Sequence, residues 1–100
     1  MLNLWRLDGK RVALFGAGHL CAKFINFYQL AGLVDCVIDD HPNKQGLFMP
    51  YSGVPIRSSA TLNAVDICLL TLNPESEEKV RGNHLDFLLS GGQFLSIFEL

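Results

Sequence analysis

The sequence is poor in charge, and its few charged residues are spread along the chain. Only 18% of its 100 residues are charged, the formal net charge is −2, and lysine and arginine nowhere cluster among aromatic residues. A nucleic-acid-binding surface needs concentrated positive charge to neutralise phosphates. The composition therefore argues against nucleic acid as a partner.

Cysteine is scarce and lacks the spacing of a metal site. Cys21, Cys36 and Cys68 each stand in an apolar segment, without a CxxC motif or a Cys/His pair at ligand spacing. We expect buried free thiols and no zinc site. The N-terminus also lacks the features of a signal peptide, and no apolar run has membrane-spanning length. These absences predict a cytoplasmic protein with no membrane partner.

Apolar residues, in contrast, are abundant for so short a chain. The hydrophobic share is 49% and the mean hydropathy is +0.25, in a length that predicts a single domain over residues 1–100. A small domain this apolar often covers part of its surface with another domain or a second copy. We expect self-association, most simply as a two-fold homodimer. If the domain is instead a protein-interaction module, its docking surface would include Trp5 and Phe48-Met49.

Four apolar runs predict the strands of a parallel sheet. Each run is nearly unbroken, as in strands that are buried on both faces, and the runs cover residues 10–15, 34–39, 66–72 and 94–98. The proline- and glycine-rich segment 41–58 predicts a loop with a short extended piece at 54–56. With helices between the runs, this order predicts a Rossmann-like three-layer sandwich, whose small, mostly parallel sheet has four strands.

Two helices are predicted between the strands. Segment 19–31 carries an apolar face at helical spacing, and Asn73-Pro74-Glu75 begins a second helix that Gly91-Gly92 ends. The predicted inward residues of the first helix are Leu20, Phe24, Phe27, Tyr28 and Ala31.

The most informative motif joins the first strand to the first helix. Gly16-Ala17-Gly18 directly follows the run Val12–Phe15, and Asp39 ends the second run, 21 residues after Gly18. Gly16 would allow a sharp turn, Gly18 would let a phosphate reach the helix N-terminus, and Asp39 would bind a ribose. Such a motif also occurs as a purely structural turn, so both interpretations stay open.

Three further polar residues could reach a ligand at this edge, where parallel strands end together. His19 could donate a hydrogen bond to a phosphate, Lys44 could pair with an anion, and Asn73 could contact the ligand. Each also has a structural interpretation, respectively a solvent-facing first-turn residue, a solvated turn and a helix cap. No arrangement of nucleophile and base is predicted. The residues alone predict a binding module without catalytic or metal-binding residues.

Three strings resemble the C-terminal domain of the S-adenosylmethionine-dependent sugar C-methyltransferases. They are residues 12–20 (VALFGAGHL), 39–46 (DDHPNKQG) and 72–77 (LNPESE), and the resemblance extends over residues 10–98. It implies a Rossmann-like domain that helps hold a nucleotide-linked sugar. In the family a central domain binds the methyl donor and an N-terminal domain carries zinc. The resemblance therefore implies no cofactor in this chain and a methyltransferase catalytic domain as a partner.

By this resemblance the diphosphate would lie at Gly16, Gly18 and His19, and the nucleoside near Asp39. The same layout also resembles the N-terminal domain of sugar acyltransferases, which binds a nucleotide sugar. Two alternatives from other classes stay open. One is an oxidoreductase module that binds NAD(P) or a flavin nucleotide, and the other is a protein-interaction domain without a small ligand.

Overall fold

The chain folds around a parallel sheet whose strands are short and almost wholly apolar. The computed structural model describes residues 2–99, with the backbone alone for Asn3. The strands are β1 (Val12–Phe15), β2 (Cys36–Ile38), β3 (Ile56–Arg57), β4 (Ile67–Leu70) and β5 (Gln93–Ser96). Their order is β3-β2-β1-β4-β5, with every neighbouring pair parallel. The predicted α/β class is confirmed, with five strands rather than four.

The additional strand is β3, which lies in the segment predicted to be a loop. Its two residues pair with Val37 and Ile38 of β2, and the Gly46 N–H donates to the Ile56 carbonyl at 2.9 Å. A two-residue strand among prolines and glycines is too short to show an alternating or continuous apolar pattern. Sequence patterns therefore predicted only the extended piece at 54–56.

Helices cover both faces of the sheet and complete the three layers. On one face, α1 (Leu2–Leu7) and α2 (His19–Tyr28) pack over a core that includes Leu14 and Leu69. On the other, a 3₁₀ helix (Ser59–Ala64), α3 (Pro74–Asn83) and α4 (Leu85–Leu89) pack over Phe15, Leu70 and Phe94. No helix in residues 2–99 has both the length and the apolar character needed to cross a membrane.

Of the five residues predicted to face inward from the first helix, only Phe24 packs against the core, and it is partly buried. Cys21 and Ile25, one turn apart, are the buried residues of α2, whereas Leu20 is 37% and Phe27 80% exposed. The bulky aromatic residues dominated the predicted face, but the close helix–sheet contact is made by the smaller Cys21 and by Ile25.

The first helix also ends earlier than predicted. Gln29 adopts the left-handed conformation, with φ 54°, and its N–H donates to the Ile25 carbonyl as a helix cap. This reversal returns the chain to the core at Leu30, which is 4% exposed. The helix therefore stops three residues before the predicted end at Ala31.

The second predicted helix is in fact two helices, α3 and α4, with a break at His84 (φ −127°, ψ 45°). Gly82 and Asn83, which precede the break, are weak helix formers. The ring centroid of His84 lies 5.5 Å from that of Phe15, and its Nε2 lies 3.0 Å from Asp40 Oδ2. These contacts hold the break against the sheet.

The predicted partner surface is only partly exposed. Of the lead-in over residues 1–9, Met1 lies outside the described residues, Leu2–Leu7 forms α1 with Trp5 half-buried against the core, and Asp8-Gly9 forms a turn. Met49 is 3% exposed, whereas its neighbour Phe48 is 66% exposed. Trp5 and Met49 therefore contribute to this protein's own core.

Candidate functional site

A crevice lies where the order of the strands reverses. β1 is followed by β2 on one side of it, whereas β4 adds to the other side of β1. In open parallel sheets, ligands bind at the carboxyl ends of the two strands that flank such a point. Here the turn 16–18 follows β1 and residues 71–73 follow β4. Both segments line one depression of about 430 Å³, which we call the crevice.

The crevice brings together all six residues that the sequence singled out as candidate ligand contacts. They come from three different loops and one helix start, and they are Gly16, Gly18, His19, Asp39, Lys44 and Asn73. Sequence reasoning missed five other lining residues, which are Ala17, Leu20, Thr71, Leu72 and Ser76. The structure therefore joins the predicted residues in space, and their contact with a ligand stays a prediction.

The two glycines of the turn serve different purposes. Gly16 has φ +104°, and a Cβ there would collide with Leu72 Cδ2 and lie 3.1 Å from the Thr71 carbonyl oxygen. Gly18 has φ −105°, which any residue adopts, and an added Cβ would meet no described heavy atom within 4 Å. The fold thus requires a glycine at position 16, while at position 18 the missing side chain leaves open space in front of α2.

The N-terminus of α2 presents main-chain donors to the crevice. Gly18 is its N-cap, and no side chain among residues 2–99 caps this end. The unpaired N–H groups of a first helical turn and the helix dipole both favour an anion. His19, the first residue of α2, is exposed beside them. This end of α2 can therefore accept a phosphate without displacing a side chain.

The N-terminus of α3, on the opposite wall of the crevice, is capped. Asn73 Oδ1 accepts a hydrogen bond from the Ser76 N–H at 2.8 Å, and Pro74 and Glu75 follow in the first turn. The predicted role of Asn73 as a helix cap is confirmed. Asn73 also lines the crevice, and a ligand contact by its amide nitrogen remains a separate prediction.

Asp39 and Lys44 both hold the main chain of Ala17. Asp39 Oδ2 accepts from the Ala17 N–H at 2.8 Å, and Lys44 Nζ donates to the Ala17 carbonyl at 3.0 Å. Asp39 Oδ1 accepts from the His41 N–H, also at 2.8 Å. Each carboxylate oxygen has a second lone pair and the ammonium has two further N–H groups, so both residues can bind a ligand as well.

Thr71 connects the two strands that flank the crevice. It is 4% exposed, and its hydroxyl donates towards the carbonyls of Phe15 at 2.8 Å and Gly16 at 3.0 Å. Burial raises the pKa of the neighbouring Cys21 thiol to about 11, although its hydrogen bond with Thr71 acts in the opposite direction. The sequence signal that could have identified Thr71 is its hydroxyl side chain directly after an apolar strand.

Asp40 belongs to the other face of the sheet. Its Oδ2 pairs with His84 Nε2, whereas the neighbouring Asp39 binds the glycine turn, as expected for successive residues of an extended segment. The loop at His41 is capped by Asp39, which accepts from the His41 N–H, and not by Asp40. The two carboxylates therefore do not act on one ligand atom.

The cysteines are buried and free, as predicted, and each occupies the core of the sheet or of α2. Among residues 2–99, no cluster of three or more His, Cys, Asp or Glu side chains has the geometry to hold a metal ion. The crevice itself offers hydrogen bonding and charge pairing by main-chain N–H groups, Lys44, His19 and polar side chains.

The model of the C-methyltransferase C-terminal domain family matches residues 1–98. The chain belongs to this family. Its resemblance to the sugar C-methyltransferases, which the three sequence strings carry, is thereby confirmed at the level of the family. No curated protein matches the sequence.

Solved structures similar to this C-methyltransferase C-terminal domain show the same fold in other proteins. UDP-D-quinovosamine 4-dehydrogenase from Vibrio fischeri has 22% identity and a TM-score of 0.65 over 88% of this chain and 77% of its own. RSP, a Rex-family repressor, has 19% identity and a TM-score of 0.59 over 94% of this chain and 49% of its own. At these identities the similarity establishes the fold alone.

Proposed function

We propose that this domain binds a nucleotide-linked sugar in the crevice and holds it for a methyltransferase catalytic domain. The observation that carries the proposal is the uncapped start of α2, which opens into the crevice at Gly18, where neither backbone conformation nor packing requires a glycine. Family membership supports the class of ligand, because the matching model is that of a C-methyltransferase.

The residues of the crevice suit the diphosphate of such a ligand. The first-turn N–H groups at Gly18 and His19 would donate to one phosphate, and Lys44, which already contacts the turn at Ala17, would add a positive charge. Asp39 stands on the same side as Lys44 and would accept from a ribose hydroxyl with its remaining lone pairs. Asn73 would contact the ligand from the opposite wall.

The domain itself would supply binding and orientation, not methyl transfer. Its one glycine-rich turn is assigned here to the nucleotide sugar, so S-adenosylmethionine would bind another domain of the methyltransferase. We therefore expect this chain alone to transfer no methyl group from S-adenosylmethionine, in an assay that follows the methyl group of a labelled donor. Measured transfer by the purified chain would contradict the division of labour.

A thermal-shift screen followed by calorimetric titration tests the proposal. We expect uridine or thymidine diphosphate to raise the melting temperature and NAD(H) and S-adenosylmethionine to leave it unchanged. Stabilisation by NAD(H) alone would favour an oxidoreductase module, and no response to any of them at millimolar concentration would favour a protein-interaction domain.

Gly18→Val tests the position of the phosphates. Valine fits the local backbone, although it is a poorer N-cap than glycine by about 1 kcal/mol or less, and its branches would occupy the space in front of α2. We expect the variant to remain folded and to lose measurable affinity for the nucleoside diphosphate. Gly32→Val is the matched control, because an added Cβ at Gly32 also meets no described atom within 4 Å. Equal affinity of both variants for the nucleoside diphosphate would show that the phosphates do not bind at this turn.

A further inference from the structure

A second groove extends along the exposed side of α2. We call it the outer groove; it has a volume of about 820 Å³, and its lining residues are His19, Ala22, Lys23, Asn26 and Phe27 of α2, with Pro50 and Tyr51 of the loop before β3. The helical residues are spaced one turn apart and form a single stripe, which is about 12 Å long at 1.5 Å per residue. The groove is therefore long enough for part of an extended ligand.

The outer groove adjoins the crevice through shared lining residues. A smaller depression of about 180 Å³ lies between them, and its lining includes Gly18, Lys44 and Pro50. His19 lines all three depressions. A ligand with phosphates at Gly18 can therefore place one end in the crevice and the other in the outer groove.

The chemistry of the outer groove suits an aromatic ring that is attached to an anion. Phe27 is 80% and Tyr51 98% exposed, so two aromatic rings face solvent from opposite sides, one from α2 and one from the loop. Lys23 and His19 line the same groove, and none of its lining residues within the described part of the chain is acidic. Asn26 adds an amide, which can donate and accept hydrogen bonds at the edge of a base.

Tyr51 is not explained by the stability of the fold. It has φ 66°, in a tight turn where the Gly53 N–H donates to the Met49 carbonyl at 3.1 Å. A bulky residue is disfavoured in this left-handed conformation, and a ring that is 98% exposed gains little from packing. Glycine would adopt the same backbone conformation more readily. The aromatic ring at this position therefore points to contact with another molecule.

We propose that the outer groove binds the nucleobase of the nucleotide-linked sugar against the rings of Phe27 and Tyr51. The assignment rests on the proposed function, because it is the diphosphate at Gly18 that directs one end of the ligand into this groove. The ribose then lies near Lys44, in the smaller depression between the two sites. The sugar occupies the opposite end of the crevice.

Calorimetric titration with three ligands tests this assignment. Uridine diphosphate carries a base, inorganic pyrophosphate carries neither base nor sugar, and glucose 1-phosphate carries a sugar without a base. Stacking of a base on one aromatic side chain contributes roughly 1–3 kcal/mol, which corresponds to a roughly 5- to 150-fold change in affinity. We expect Phe27→Ala and Tyr51→Gly each to lower the affinity for uridine diphosphate by such a factor. The affinities for pyrophosphate and glucose 1-phosphate should stay within about two-fold of the wild-type values.

Two controls separate loss of stacking from loss of structure. Tyr51→Gly should melt at or above the temperature of the wild type, because glycine relieves the left-handed strain. Phe98→Ala removes an aromatic ring that is 65% exposed but outside the groove, and it should leave all three affinities unchanged.

Three outcomes contradict the assignment and identify what fails. If the wild type binds uridine diphosphate and both aromatic variants bind it equally well, the base subsite is wrong and the proposed function stands. If the aromatic variants lose affinity for glucose 1-phosphate as well as for uridine diphosphate, the sugar occupies the groove in place of the base. If the wild type binds none of the three ligands, the proposed function fails and this inference fails with it.

Discussion

At the scale of single residues, the two glycines of the turn differ in role: the fold requires a glycine at position 16 but not at position 18. Gly16 combines a positive φ with a close approach to Leu72, so its lack of a side chain is needed where the turn after β1 passes the segment after β4. Gly18, two residues later, has neither constraint. Substitutions at these two positions should therefore have opposite effects on stability and binding.

Gly16→Ala should lower the free energy of unfolding by about 1–3 kcal/mol, because alanine is strained at φ +104° and its methyl group meets Leu72. Gly18→Ser should change it by only a few tenths of a kcal/mol, and in the stabilising direction, since serine is a better N-cap. Urea unfolding followed by circular dichroism measures both. Equal destabilisation by the two substitutions would show that the turn needs glycine at both positions.

Asp39→Asn should also destabilise the protein. The carboxylate accepts from the N–H groups of Ala17 and His41, one on each oxygen, whereas an asparagine side chain offers a single oxygen. Loss of one charged hydrogen bond should lower the free energy of unfolding by about 1–3 kcal/mol in a urea titration. Wild-type stability combined with lost affinity for the nucleoside diphosphate would instead assign Asp39 to the ligand alone.

At the scale of elements, the cap of α3 distinguishes a structural from a binding role. Asn73→Ala removes the acceptor for Ser76 N–H and should lower the free energy of unfolding by about 0.5–2 kcal/mol. Asn73→Asp keeps that acceptor, and so should retain stability in the same urea titration. Its added negative charge should weaken binding of a nucleoside diphosphate by calorimetry. Unchanged affinity in Asn73→Asp would place the ligand away from this wall of the crevice.

The sequence predicted the elements better than it predicted their faces and ends. The four main strands, the glycine turn and the cap at Asn73 follow from local signals, namely apolar runs and residues with a strong positional preference. The buried face of α2 depends on how closely the helix approaches the sheet. It is therefore centred on Cys21 and Ile25, and not on the larger aromatic residues that the sequence pattern favoured. The break at His84 depends on contacts with Phe15 and Asp40, which are distant in sequence.

The candidate site was predictable in its residues but not in its hydrogen bonds. Parallel topology alone brings Gly18, Asp39 and Asn73 to one edge of the sheet. That Asp39 and Lys44 both hold Ala17 depends on the path of the loop after β2, for which the sequence has no periodic signal. Tyr51 was missed for the same reason.

At the scale of the whole molecule, the three buried thiols predict a loss of stability in alkali. Burial raises the pKa of Cys21 from 9.0 to about 11, and it also raises those of Cys36 and Cys68. Below about pH 9 the thiols are protonated in both states. Between pH 9 and 11 the unfolded thiols ionise while the folded Cys21 stays neutral, so the free energy of unfolding falls as the pH rises.

Urea titrations between pH 8 and 11 measure this decline, and Cys21→Ala should reduce its slope. At pH 8, a thiol reagent should label none of the three cysteines in the native protein and all of them after unfolding. Rapid labelling of native Cys21 would contradict its burial.

Self-association also remains a prediction at this scale. Leu7, Leu89 and Phe98 are 83%, 88% and 65% exposed, so the surface retains large apolar side chains. We expect light scattering at micromolar concentration to detect a dimer. Since Trp5 is already half-buried against the core, its fluorescence is a weak probe of association.

The central position of β1 has a consequence for the order in which the molecule acquires function. Residues up to Arg57 contain β1, β2 and β3, which pair with one another without any later segment, whereas β4 and β5 add afterwards to the other side of β1. A chain emerging from the ribosome can thus complete three strands and the glycine turn early. Thr71 and Asn73, which form the second wall of the crevice, are synthesised later. The proposed ligand site is therefore completed late in biosynthesis, and a nascent chain that has not reached β4 carries the turn without the second wall of the crevice.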